Sequence, residues 1–163
     1  MARTSEEAVV HKSVRVQGSV ELAFSIFVEQ METWWPADHH IGQQAFQCII
    51  VEPRIGGRWY ERDAQGRECN WGSVLAWEPP QRVTLGWHLG TEWKFDPDPA
   101  KASEVEIRFT AKSPSSTQVD LIHSKLERHG EGYEQLLAAL NGPEAWSRVL
   151  ADFARVADGK AAL

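Results

Sequence analysis

The sequence predicts an α+β fold in which a curved antiparallel sheet packs one apolar face against a long C-terminal helix. Seven short strand-like segments are separated by turn signals, two stretches near the chain ends carry helical spacing, and 163 residues suffice for one sizeable core. Strands running consecutively, with helices segregated in sequence, place the helices on one face of an antiparallel sheet. A single domain is expected over residues 8–158, with 1–7 and 159–163 as flexible termini.

The first strand is Val9 to Gln17, where Val10, Lys12, Val14 and Val16 alternate with more polar neighbours. Ser19 is a fitting N-cap, and Leu22, Ala23, Ile26, Phe27 and Gln30 recur at spacings of three and four, so Val20 to Met31 reads as an amphipathic helix. Pro36 stops it, and a loop from Ala37 to Gln43 carries His39 and His40. Strands follow at Ala45–Glu52, Arg58–Arg62, Cys69–Trp77 and Arg82–Leu89, separated by Pro53 with Gly56-Gly57, by Asp63 to Gly66, and by Glu78-Pro79-Pro80. Pro97 and Pro99 make Trp93 to Lys101 irregular. Two more strands, Glu104–Ala111 and Thr117–His123, flank Ser113-Pro114-Ser115-Ser116. Glu131 to Leu140 forms a short helix, and Pro143, suited to the first helical position, opens the main helix to Ala157. In that helix Trp146, Val149, Leu150, Phe153 and Val156 or Ala157 form one apolar stripe.

Composition excludes several function classes. The net charge of −6, with basic residues scattered, opposes a nucleic-acid partner. No apolar run approaches the roughly 18 residues of a membrane span. The N-terminal residues lack the order of a signal peptide, so a cytoplasmic location is expected. Cys48 and Cys69 lack metal-type spacing and are expected as reduced, buried thiols, and no cofactor is called for. The unusual feature is eight tryptophans, a residue type that lines cores, interfaces or ligand pockets.

Several segments carry a family resemblance: Trp34-Trp35-Pro36, the run from Glu52 to Trp59 around Gly56-Gly57, and the run from Gly72 to Arg82. Trp87, Thr117 to His123, and Trp146 with Leu150 and Phe153 extend it to nearly the whole chain. Together they resemble the SRPBCC (START-like) superfamily, more closely its branch named after the activator of Hsp90 ATPase homologue 1. That resemblance implies a helix-grip fold with a cavity between sheet and C-terminal helix, used for hydrophobic guests. It also suggests a chaperone partner as an alternative.

Alternation puts Val83, Leu85, Trp87 and Leu89 on one face, with Val105, Ile107 and Phe109, and with Thr117, Val119, Leu121 and His123. In the strand from Cys69, Trp71, Ser73, Leu75 and Trp77 form the bulkier face, and Trp71 is assigned inward. Trp59 shares its face with Glu61. The expected ligand-binding set is Trp35, Trp59, Trp71, Trp87, Phe109, His123, Trp146, Leu150 and Phe153, each with plain core packing as the competing reading. Trp34 and Trp35 close a pocket mouth or sit in a homodimer contact. His123 is a satisfied core histidine, a ligand donor, or, with Glu61, a proton carrier of a cyclase- or hydrolase-like enzyme. His39 and His40 lack the further ligands that a metal needs. No nucleophile elbow, phosphate loop or His-Glu-x-x-His segment is present.

Overall fold

A computed structural model describes residues 9–162 of the chain. Its elements are β1 (Val10–Gln17), α1 (Val20–Glu29), β2 (Phe46–Val51), β3 (Arg58–Asp63), β4 (Glu68–Glu78), β5 (Arg82–Trp87), β6 (Ser103–Ser113), β7 (Ser116–Ser124), α2 (Tyr133–Leu140) and α3 (Trp146–Ala161). The seven strands form one antiparallel sheet in the order β1-β7-β6-β5-β4-β3-β2. Strands adjacent in sequence, β1 and β2, therefore lie at opposite edges, and α1 with the loop after it crosses between them. The curled sheet and C-terminal helix make a helix-grip fold.

Local chemistry explains the elements. Ser19 Oγ accepts from the Leu22 amide at 3.2 Å and caps α1. The helix stops at Glu29, two residues short of the expected end, and a 3₁₀ turn over Met31–Thr33 redirects the chain so that Met31, Trp34 and Trp35 are all buried. Trp34 Nε1 donates back to the Ile26 carbonyl at 2.9 Å, tying that turn to α1.

The register of β5, β6 and β7 matches the alternation: Val105 faces His123, Ile107 faces Leu121 and Phe109 faces Val119, all buried. On β4 simple alternation fails. Trp59 pairs with Gly72 while Tyr60 pairs with Asn70, so Trp71 is an extra residue in the ladder; Val74 pairs with Leu85 while Ala76 pairs with Thr84, so Leu75 is another. Each bulge exchanges the faces of the residues beyond it. Trp71 turns inward, but Val74 takes the inner place that alternation gives to Leu75, which is 44% exposed.

The main helix begins at Trp146, not at Pro143, because Ala145 has φ −98° and ψ −120°, outside the helical region. It continues to Ala161, through residues expected to belong to a loose terminus; residues 1–8, which include the expected N-terminal tail, and 163 lie outside those described. Its buried face is Trp146, Val149, Leu150, Phe153 and Ala157, with Ala157 rather than Val156 completing the stripe. The helix packs on β1 and α1. Phe153 meets Phe27 at 5.0 Å and Trp34 at 5.2 Å between ring centroids. Among the described residues no helix is long and apolar enough to cross a membrane.

Candidate functional site

A cavity of about 330 Å³ opens between the sheet, the loop from Trp35 to Ile41 and the junction of α2 with α3. Its volume is at the lower end of the range of small-molecule sites, roughly 300–1,000 Å³. Trp35, Trp71, Trp87, Trp93 and Trp146 wall it, with Leu89, Leu140 and Val149 completing the apolar lining. The indoles form one connected cluster. Trp35 lies 5.1 Å from Trp71 and 5.9 Å from Trp146, and Trp87 lies 5.4 Å from Trp146. Edge and tilted contacts of this kind each add about 0.5–1.5 kcal/mol beyond area burial, so the wall holds its shape without a guest.

The buried indole N–H groups of this wall are engaged inside the protein. Trp35 Nε1 donates to the His39 carbonyl at 2.8 Å, Trp87 Nε1 to the Leu89 carbonyl at 3.0 Å, and Trp71 Nε1 to Glu61 Oε1 at 2.9 Å. Trp146 Nε1 donates to His123 Nδ1 at 3.0 Å. These four residues therefore offer a guest ring faces and no hydrogen bond.

Glu61, 2% exposed, organises one side of the site. Besides Trp71 it accepts from the Ile41 amide at 2.7 Å and from the Gly42 amide at 3.4 Å, which fixes the His40-Ile41-Gly42 turn against β3. Its carboxylate faces these donors and does not line this cavity; it borders a second hollow with Gly42, Asp63, Arg67 and Cys69. Cys69 beside it is a free thiol and half-buried, as is Cys48, where reduced, buried thiols were expected. Burial first, then the Glu61 and Asp63 charges, push the Cys69 thiol up and keep it protonated.

His123 is fully buried behind Trp87 and Trp146, and does not reach the cavity. Because an indole N–H can only donate, Nδ1 is the acceptor and Nε2 carries the hydrogen, which goes to Ser103 Oγ at 2.7 Å. Ser103 Oγ in turn donates to His129 Nε2 at 2.7 Å. Burial first, and His129 second, push His123 down to about 3, so the ring is neutral. Both of its ring nitrogens are therefore engaged inside the protein, one of them holding the Trp146 indole.

Of the residues expected to bind a ligand, Trp35, Trp71, Trp87 and Trp146 border the cavity. Trp59, Phe109, Leu150 and Phe153 are core residues behind it. Trp59 packs on Trp71 and Trp87, Phe109 on Phe24 and Phe27, and the stripe of α3 divides, sending Trp146 and Val149 to the cavity, Phe153 against Phe27 of α1 and Leu150 into the core. Sequence reasoning missed Trp93, Asp38 and Ile41. Trp93 is a bulky residue in the left-handed region, φ 59°, 45% exposed and 6.4 Å from Trp87. A large apolar side chain in a Pro-rich loop was the available signal.

The mouth is polar. Asp38 pairs with both Arg148 Nη atoms at 3.1 Å, and Arg148 also reaches Glu144 at 3.3 Å. Arg148, and after it His39, hold the Asp38 carboxyl below its usual range. His39 Nε2 donates to the Glu144 carbonyl at 2.8 Å, and its Nδ1 lies 3.1 Å from Asp38. Among the described residues no group of three or more His, Cys, Asp and Glu side chains is arranged to hold a metal ion.

The family model described as activator of Hsp90 ATPase homolog 1-like protein matches residues 18–157. Among solved structures, the anthrahydroquino-γ-pyrone synthase Txn09, solved in a complex, is 40% identical, with 91% of this chain and 96% of that one covered and a TM-score of 0.65. The self-sacrificing resistance protein CalC from Micromonospora echinospora is 29% identical over 93% of this chain and 95% of its own, with a TM-score of 0.70. The Aha1 dimer from Colwellia psychrerythraea shares the fold at 13% identity, over 92% and 96% of the two chains, with a TM-score of 0.61. No curated protein matches. The matched span and the shared fold together mean that the chain belongs to the activator of Hsp90 ATPase homolog 1-like family.

Proposed function

We propose that the protein binds a planar, largely apolar aromatic molecule in the indole-walled cavity. The observation that carries this is the wall itself: five tryptophans border one cavity, and the four buried ones keep their N–H groups inside the protein. Such a surface recognises flat π systems by stacking and dispersion and has little with which to hold a flexible polar guest. Titration with a set of naphthalene- and anthraquinone-type compounds, followed by quenching of tryptophan fluorescence and by calorimetry, tests it. Saturable binding with micromolar affinity is expected. Absence of saturable binding by every member of the set overturns the reading.

A second reading, that the guest is also turned over by ring closure, is favoured by the 40% identity with a pyrone synthase. Incubation with aryl ketones carrying a hydroxyl placed to close a pyrone ring, analysed by mass spectrometry and ultraviolet absorbance, separates turnover from binding. Bound substrate recovered unchanged supports a binding protein alone. The chaperone reading finds less support, because the cavity gives a small molecule a place while nothing in the site calls for a protein partner.

A further inference from the structure

A polar group on the proposed aromatic guest would have few partners in the cavity, and the structure narrows the choice. Four polar side chains border the cavity: Asp38, His39, His40 and Glu144. Asp38 and Glu144, with side chains 67% and 81% exposed, are paired with Arg148 at the rim. Both ring nitrogens of His39 face protein oxygens. His40 differs: its Nδ1 lies 2.8 Å from the Gly42 carbonyl, and among the described residues its Nε2 has no hydrogen-bond partner.

The Gly42 contact also fixes which kind of group Nε2 is. A carbonyl oxygen can only accept, so Nδ1 must carry the hydrogen, and in a neutral imidazole the other nitrogen is then a bare acceptor. Gly42 is itself held, since its amide and that of Ile41 donate to the buried Glu61 carboxylate. The tautomer of His40 is thereby set by a chain of contacts that ends on the sheet. Resting on the aromatic-ligand reading, we infer that His40 Nε2 is the acceptor for a hydroxyl on the guest, so that the preferred ligands are phenols or enols, not bare hydrocarbons or ethers.

The probes are 2-naphthol and 2-methoxynaphthalene, which differ in whether the oxygen can donate. They are titrated calorimetrically into the intact protein, both in the same buffer. The protein is expected to bind the naphthol about five- to tenfold more tightly, the net worth of one hydrogen bond. His40→Asn keeps a donor near the Nδ1 position for Gly42 but removes the acceptor at the ε position; its preference for the naphthol over the ether is expected to vanish. His40→Gln places an amide oxygen near the ε position and is expected to retain the preference. Equal affinity of the unaltered protein for both probes, or a preference that survives in His40→Asn, overturns the assignment while leaving the cavity reading intact. If the unaltered protein binds neither probe nor any other flat aromatic, the cavity reading fails and this assignment falls with it.

Discussion

Burial takes His123 out of water and moves its pKa from the ordinary 6.5 to about 3, with His129 adding to the effect. The unfolded chain therefore binds a proton that the folded chain refuses throughout that interval. The contribution to stability is fully present above pH 6.5 and is lost as pH falls toward 3. Between pH 7 and pH 5 this amounts to about 2 kcal/mol. His123→Gln, which does not titrate, should flatten urea-denaturation stability over that range relative to the parent; an unchanged slope would place the titration elsewhere. His129, also pushed down by burial, remains in both proteins and cancels in the comparison. At the rim, Trp93 accepts two unfavourable conditions at once, exposure and a left-handed backbone. Left-handed geometry costs a bulky residue roughly 1–2 kcal/mol, and glycine relieves it. Trp93→Gly should keep folding stability within about 1 kcal/mol and weaken aromatic ligands about tenfold through the lost stacking surface. Chemical denaturation together with a naphthol titration measures both, and an undiminished affinity would reduce Trp93 to loop packing.

At the scale of elements, β4 shows what alternation can and cannot reveal. Where ladders run without interruption, as in β5 to β7, a period of two identifies the inner face correctly down to His123. On β4 two extra residues, Trp71 and Leu75, alter the count, and a bulge carries no apolar signature of its own. The nearby glycine does leave a physical trace. A Cβ at Gly72 would lie 1.7 Å from the Gly86 carbonyl oxygen, so the two strands approach at this point more closely than any side chain permits. Gly72→Ala should therefore destabilise by more than about 3 kcal/mol, the scale of severe overpacking, or fail to fold; a loss below 1 kcal/mol in thermal and urea unfolding would contradict the close approach. The same reasoning explains the α3 start. Pro143 is a good opening residue by propensity, but the non-helical backbone at Ala145 delays the helix to Trp146.

Across the whole molecule the fold was far more legible than the site. Strand and helix patterns are local, whereas the cavity gathers Trp35 to Ile41, Trp71, Trp87 to Trp93 and the α2–α3 junction, segments that only the curl of the sheet brings together. Sequence could nominate tryptophans but could not say which faced a void, and it gave no cue that Asp38 would meet Arg148. That pair joins the loop after α1 to α3 at the mouth, so a guest entering there must part them or squeeze past. Both side chains reach solvent, so the pair contributes little to folding. Arg148→Ala should accordingly leave the melting temperature nearly unchanged while raising the association and dissociation rates of an aromatic ligand together, several-fold, with little change in equilibrium affinity. Moderate salt should act on the unaltered protein in the same direction, because an exposed ion pair is screened. Stopped-flow fluorescence of the tryptophan cluster reads both rates. Rates equal to those of the parent in Arg148→Ala would show that the guest enters past Trp93 instead, on the side away from the Asp38–Arg148 pair.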